Sequence, residues 1–526
     1  MKHSAEIETL SLQARQAARA RDWRTVSRCA RQILEREGDS AEGHFLAGQA
    51  AKAVGGYERA EKSFQRALRN DHSRYDAAVE VAELYVRQLR NREALELLRA
   101  CDSRLANSPV YLEMAAAAYT RMDLHERALP LYRRACELQP EIERFRTGLA
   151  ACSVFLGKID DAIGIYEELL QRHPEHRRFH YELAQLREAT DGRHVEQMKA
   201  ILAASTAAPA DNIFLYYALG KEFEELGWWE EAFQYYKQGG DAAKSVSPYD
   251  VSEDVELIEA VISCCSGQWL DAAPAADNSG NAYPKPVFVV GLPRSGTTLT
   301  ERIISSHSLV GTVGETFFLQ HVLRSLSGVR TKELFNVEIL RAAAAGDTSR
   351  LMPRYLAAVD YRLGKEPYFV EKYPENFLLL GFIVRGIPDA AVVHVSRHPM
   401  DVCFAIYKQS YFRYAYTLDD LGRYYVAYER LMQHWRALLG ERLLEVSYEA
   451  LVAEPELRVR DLLSRLGLGY EEACLRFERS RASTRTASAV QVREKIHSRS
   501  VGRWKHFENE LAPLREYLRE HGIAVS

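Results

Sequence analysis

At 526 residues, 47% hydrophobic and 27% charged, the chain is too long for one ordinary core and has a globular make-up, which excludes a single small module, a disordered chain and a fibre. A balance of 69 basic against 73 acidic residues gives a formal charge of −4, so nucleic acid and membrane surface are not expected partners and any polyanion site has to be local. Eight cysteines without a C-x-x-C pair speak against a disulfide framework or a zinc site, and no signal-peptide pattern or roughly 18-residue apolar run occurs, so a cytoplasmic chain without a membrane span is expected.

Small residues recur at a fixed interval in the first half. Gly48, Ala82, Ala116, Ala150 and Ala184 are 34 apart, and so are Ala60, Ala94, Ala128 and Ala162. Apolar residues surround them at helical spacing, and Pro140 and Pro174, again 34 apart, follow helix ends. The spacing predicts two helices per repeat, crossing closely where the side chains are small. This part of the chain resembles the tetratricopeptide family. The register runs back to Ala14, Trp23 and Val26 as a divergent first repeat, and Gly220, Gly227 and Ala232 restore it beyond an irregular stretch around 190–211. A helical solenoid over 1–245 is therefore expected, with a concave surface suited to a peptide or protein segment.

Residues 246–285 read as a connecting helix and a linker, since 269–286 concentrate Ala, Pro, Asp, Asn, Ser and Gly. Val287-Phe288-Val289-Val290 then predicts a buried parallel strand opening a second domain over 286–526. It runs into Gly291-Leu292-Pro293-Arg294-Ser295-Gly296-Thr297-Thr298 and an amphipathic helix, a junction that aims backbone N–H groups at an anion. The glycine spacing suits a P-loop, but Thr297 stands where a nucleoside-triphosphate loop carries lysine, while Arg294 offers a planar cation.

Pro293 to Thr298 resembles the 3′-phosphoadenosine-5′-phosphosulfate loop of the sulfotransferase family. The resemblance implies that Arg294, Ser295, Gly296, Thr297 and Thr298 hold the 5′-phosphosulfate. Ala391–Val395 predicts another buried strand, followed by Arg397-His398-Pro399-Met400-Asp401-Val402 and a helix start. In that family the matching arginine binds the 3′-phosphate, here Arg397, and the serine common eight residues later is Ala405. Glu371-Lys372-Tyr373-Pro374-Glu375-Asn376-Phe377 is similar to the motif of protein-tyrosine-directed and bacterial members, placing Lys372 beside the leaving phosphate.

Residues 476–505 carry nine Lys or Arg against two Glu, and their order resembles the element that folds over the donor, with Ser488 and Arg503 on the 3′-phosphate side and Arg493 a further candidate. Gly314-Glu315-Thr316 matches the segment whose glutamate acts as base in tyrosine-directed enzymes; His307 and His394 are alternatives, while His398, beside Arg397, is a candidate for donor binding. The resemblance thus implies an α/β domain with a parallel sheet. It also implies a metal-independent sulfotransferase that uses Glu315, Arg294 and Lys372, releases adenosine 3′,5′-bisphosphate, and acts on a hydroxyl, a protein or peptide tyrosine presented by the repeats among the candidates. A non-catalytic repeat adaptor with a degenerate nucleotide site and a P-loop kinase are the other readings.

Overall fold

The computed structural model describes residues 2–105, 107–272, 283–479 and 495–525, so Ser488 and Arg493 lie outside the described residues. The chain separates into two compact units, Met1–Cys152 and Ser153–Ser526.

The first unit is a run of antiparallel helix pairs, among them Ala41–Ala53 with Tyr57–Asn70 and Pro109–Arg121 with His125–Leu138. The small positions are packing requirements. A Cβ on Gly48 would lie 2.6 Å from the Phe64 ring and one on Gly148 2.4 Å from the Tyr132 ring, while Ala60, Ala94 and Ala128 are fully buried. Ala14 and Val26 are also fully buried, in the pair Lys2–Arg19 and Trp23–Arg36. A second 34-residue register appears in the turns. Arg21, Gly55, Leu89 and Asp123 all have left-handed φ, and each is followed by a residue whose N–H reaches back five positions: Asp22 to Ala17, Gly56 to Ala51, Arg90 to Tyr85 and Leu124 to Tyr119. This is the glycine-type helix stop, occupied here by four different residue types.

The second unit continues the same pattern, with the left-handed turn at Gly157 and again at Gly227. Its helices include α1 (Arg177–Leu186), α2 (Ile213–Glu225) and α3 (Trp229–Val246). The stretch expected to be irregular contains a helix, Arg193–Ala204. Its buried face is thin in apolar residues, because beside Val195 and Met198 it buries His194. The His194 ring meets Glu222 at 2.5 Å and His180 at 2.8 Å, and His180 meets the Pro174 carbonyl at 2.8 Å. Polar satisfaction replaces apolar periodicity there.

The sheet has five parallel strands, β1 (Lys285–Val290), β2 (Val310–Gly314), β3 (Tyr368–Lys372), β4 (Ala391–Ser396) and β5 (Leu443–Ser447), in the order β2-β3-β1-β4-β5. Alternation buries both faces. Val287, Val289, Val370, Val393 and Val395 pack with Ile303, Ile304, Leu462 and Leu463. On the other face Phe288 and Phe369 pack against Tyr355 at ring distances of 5.7 and 6.2 Å. After β1 comes α4 (Thr297–Ser305), after β4 comes α5 (Pro399–Tyr407), and Leu418–Leu439 forms α6. Among the described residues no helix is long and apolar enough to cross a membrane.

The last helix pair packs directly on the sheet domain. Phe233 of α3 stacks on Tyr407 at 5.7 Å, Tyr236 meets Phe404 edge-on at 6.3 Å, and Trp229 stacks on His506 at 4.1 Å. A Cβ on Gly240 would sit 2.3 Å from the Tyr416 carbonyl oxygen, so α3 runs against backbone there.

Candidate active site

In this strand order the chain leaves β1 for one side of the sheet and later crosses to the other, so the crevice between the C-terminal ends of β1 and β4 is the switch point where open α/β sheets bind ligands. Both arginine-bearing loops emerge there. Residues 291–296 form a tight turn with φ of 148° at Gly291, 67° at Arg294 and 105° at Gly296. A Cβ on Gly291 would lie 2.5 Å from the Val395 carbonyl oxygen, and one on Gly296 2.6 Å from the Tyr448 ring, so glycine is required at both. Arg294 is not glycine, and its left-handed backbone is strain of the kind stored at binding sites.

Thr297 and Thr298 are buried in the first turn of α4, where N–H groups lack partners within the helix. Ser295 is buried, and among the described residues its Oγ has no hydrogen-bond partner. A buried hydroxyl left unpaired costs about 1–3 kcal/mol, which a bound anion would recover. Burial lowers the Arg294 pKa below the usual arginine value; the Tyr411 hydroxyl acts against this and the Arg397 charge with it.

Arg397 ties three segments together. Its Nη1 donates to the Arg294 carbonyl at 2.9 Å, its Nη2 donates to the Ser500 carbonyl, and its guanidinium lies over the Tyr448 ring at 4.9 Å. Asp401 at the start of α5 accepts from the Gly502 N–H at 2.7 Å and the Trp504 N–H at 3.3 Å, and the His398 ring stacks on Trp504. The described end of the basic segment is thereby fastened to the Arg397 loop.

Lys372 and Glu315 come together at the ends of β3 and β2, where the Lys372 Nζ donates to Glu315 Oε2. Lys372 is almost fully buried and Glu315 is about a quarter exposed, so the carboxylate faces outward from a buried cation. The neighbouring Glu371 turns to the other face, accepting from the Tyr355 hydroxyl and, at 2.9 Å, from Asn376. Burial pushes its carboxyl up to about 7.

The remaining candidates have partners of their own. His394 holds the Tyr428 hydroxyl at 2.7 Å and Glu445 at 3.0 Å, and His307 holds the Gly469 carbonyl at 2.9 Å. The Arg503 Nε donates to Glu224 of α2 at 2.6 Å. Ala405 presents a methyl on α5, and its carbonyl accepts from Gln409.

Sequence reasoning missed Tyr448, which packs against both arginine loops; its one signal is its place just after β5, again at a C-terminal strand end. It also missed Tyr411, whose hydroxyl is pushed up by burial and feels Arg294 and Glu315, and Lys408, one turn beyond Ala405.

Residues 286–472 match the sulfotransferase family profile. An uncharacterized protein of Aquifex aeolicus (strain VF5) is 27% identical over 383 residues, covering 69% of this chain and 49% of that protein. The protein-tyrosine sulfotransferase of Drosophila melanogaster is 26% identical over 208 residues, 36% of this chain and 40% of that protein. The chain thus spans half or less of the length of these relatives. Among solved structures, the tetratricopeptide protein YrrB, described as having an unusual peptide-binding site, aligns at 17% identity and a TM-score of 0.28, over 40% of this chain and 91% of that one. With its 34-residue helix pairs and its five-stranded parallel sheet, the chain joins a tetratricopeptide-like helical array to a domain that matches the sulfotransferase family model over residues 286–472.

Proposed function

We propose that the chain moves the sulfuryl group of 3′-phosphoadenosine-5′-phosphosulfate to a hydroxyl acceptor and releases adenosine 3′,5′-bisphosphate. One arrangement carries this reading: two arginine loops meeting at the β1/β4 crevice, beside a Lys372–Glu315 pair on the adjacent strand ends. The orphaned Ser295 hydroxyl, in a turn bounded by the left-handed Arg294 and Gly296, suits a phosphosulfate. The donor supplies a sulfuryl group whose sulfur–oxygen bond to phosphate breaks as the acceptor oxygen bonds sulfur.

Arg294, Ser295, Gly296, Thr297 and Thr298 hold the phosphosulfate end, and Arg397 holds the 3′-phosphate, with Ser488 and Arg503 on the same side. Glu315 takes the acceptor proton. Its neutralisation frees the buried Lys372 charge to act, with Arg294, on the negative charge growing at the leaving phosphate, so proton removal and leaving-group stabilisation reinforce each other. No metal has a role in this scheme. A polypeptide tyrosine is the proposed acceptor, supported by the similarity to a protein-tyrosine sulfotransferase, by the repeat array, and by the exposed Phe317 and Tyr411 rings on the segments near Glu315.

Calorimetric titration tests the donor. Adenosine 3′,5′-bisphosphate should bind more tightly than ATP with magnesium; the reverse order would favour a kinase, and no binding of either an adaptor. Glu315→Gln should keep bisphosphate affinity within about twofold and lose about 10²–10⁴ in turnover, followed by mass spectrometry of sulfated tyrosine peptides. Full turnover in that variant would remove Glu315 as the base.

A further inference from the structure

Glu224 of α2 is a carboxylate from the helical array buried against the sheet domain. It is 3% exposed and meets two cations from separate segments. Lys408, just after α5, lies at 2.8 and 3.0 Å from its two oxygens, and the Arg503 Nε donates to it at 2.6 Å. The Tyr236 hydroxyl of α3 adds a hydrogen bond at 2.8 Å. Burial raises the Glu224 pKa, but Lys408 and Arg503 together hold it below the usual glutamate value, so the carboxylate is charged.

One buried carboxylate held by two partly buried cations is a poor way to gain stability, because desolvation offsets much of the attraction. What the cluster does achieve is position. Arg503 belongs to the turn whose Ser500 carbonyl accepts from Arg397 and whose Gly502 and Trp504 amides are held by Asp401. Glu224 fastens the remaining corner of that turn. It claims only the Nε of Arg503, and among the described residues no other hydrogen bond takes the two terminal nitrogens.

We infer that Glu224 is a positioning residue for the 3′-phosphate of the nucleotide: through Arg503 and Lys408 it locks the 500–504 turn against Arg397, so the last helix pair of the array is part of the donor site. This inference rests on the donor reading above. It predicts selectivity for the 3′-phosphate, which a purely structural contact would not confer.

The test compares adenosine 3′,5′-bisphosphate with adenosine 5′-monophosphate by calorimetry on the full chain. Glu224→Gln should weaken the bisphosphate about tenfold, about 1.4 kcal/mol, and the monophosphate less than twofold. Arg503→Gln, at a side chain one third exposed, should give the same selective loss without unpairing a buried carboxylate, and the double variant should lose no more than either single one. Equal weakening of both nucleotides, or unchanged selectivity in Arg503→Gln, would overturn the inference while leaving the donor reading intact. A wild-type chain with no preference for the bisphosphate would overturn both.

Discussion

Glu371 and Lys372 are adjacent in β3 and have opposite fates, which strand alternation explains. Lys372 reaches Glu315, whereas Glu371 is sealed beneath Tyr355 and Asn376, where burial pushes its pKa from the ordinary 4.5 to about 7. A carboxyl with a raised folded-state pKa stabilises the fold fully below about pH 4.5, and that contribution is lost as pH rises through about 7. The difference corresponds to about 3 kcal/mol. Urea unfolding between pH 5 and 8 should therefore show wild-type stability falling with pH more steeply than that of Glu371→Gln; equal slopes would mean Glu371 is not proton-linked to folding. The sequence marked Glu371 only as the start of a motif, because both neighbouring charges are buried and the partner each meets depends on what covers its face of the sheet.

At the scale of elements, the helix pairs were legible because close crossing demands small side chains, and Gly48 and Gly148 show the aromatic rings that make the demand. The turn register was not, since Arg21, Gly55, Leu89 and Asp123 share a backbone conformation without sharing chemistry. A branched side chain at φ 60° is strained, so Leu89→Gly should stabilise the first unit by about 0.5–1 kcal/mol in thermal unfolding, and Gly55→Ala should destabilise it by a similar amount. A lowered melting temperature for Leu89→Gly would show that the Leu89 side chain contributes more by packing than its backbone costs. The helix at Arg193–Ala204 escaped the periodicity search for a different reason: its burial runs through His194, His180 and Glu222, whose value lies in mutual hydrogen bonding.

Across the whole molecule, the last helix pair and the sheet domain share an aromatic seam: Trp229, Phe233 and Tyr236 on one side, Phe404, Tyr407, His506 and Phe507 on the other. A chain shortened to begin at Val251 would expose that seam and strip Lys408 of its carboxylate, and it should aggregate or melt well below one beginning at Ser205. Light scattering and calorimetry on the two would decide, and equal behaviour would show that the seam adds little. From sequence alone came the 34-residue repeat, the parallel strands and the arginine loops after β1 and β4. Each is written in contiguous residues or a fixed spacing, and strand, turn and helix start are local physics. Tertiary structure alone decided that Glu315 pairs with Lys372, that Tyr448 backs both loops, and that Glu224 gathers Lys408 and Arg503 from 184 and 279 residues away. A charged side chain carries no record in sequence of which opposite charge will share its burial; strand order and helix packing choose the partner.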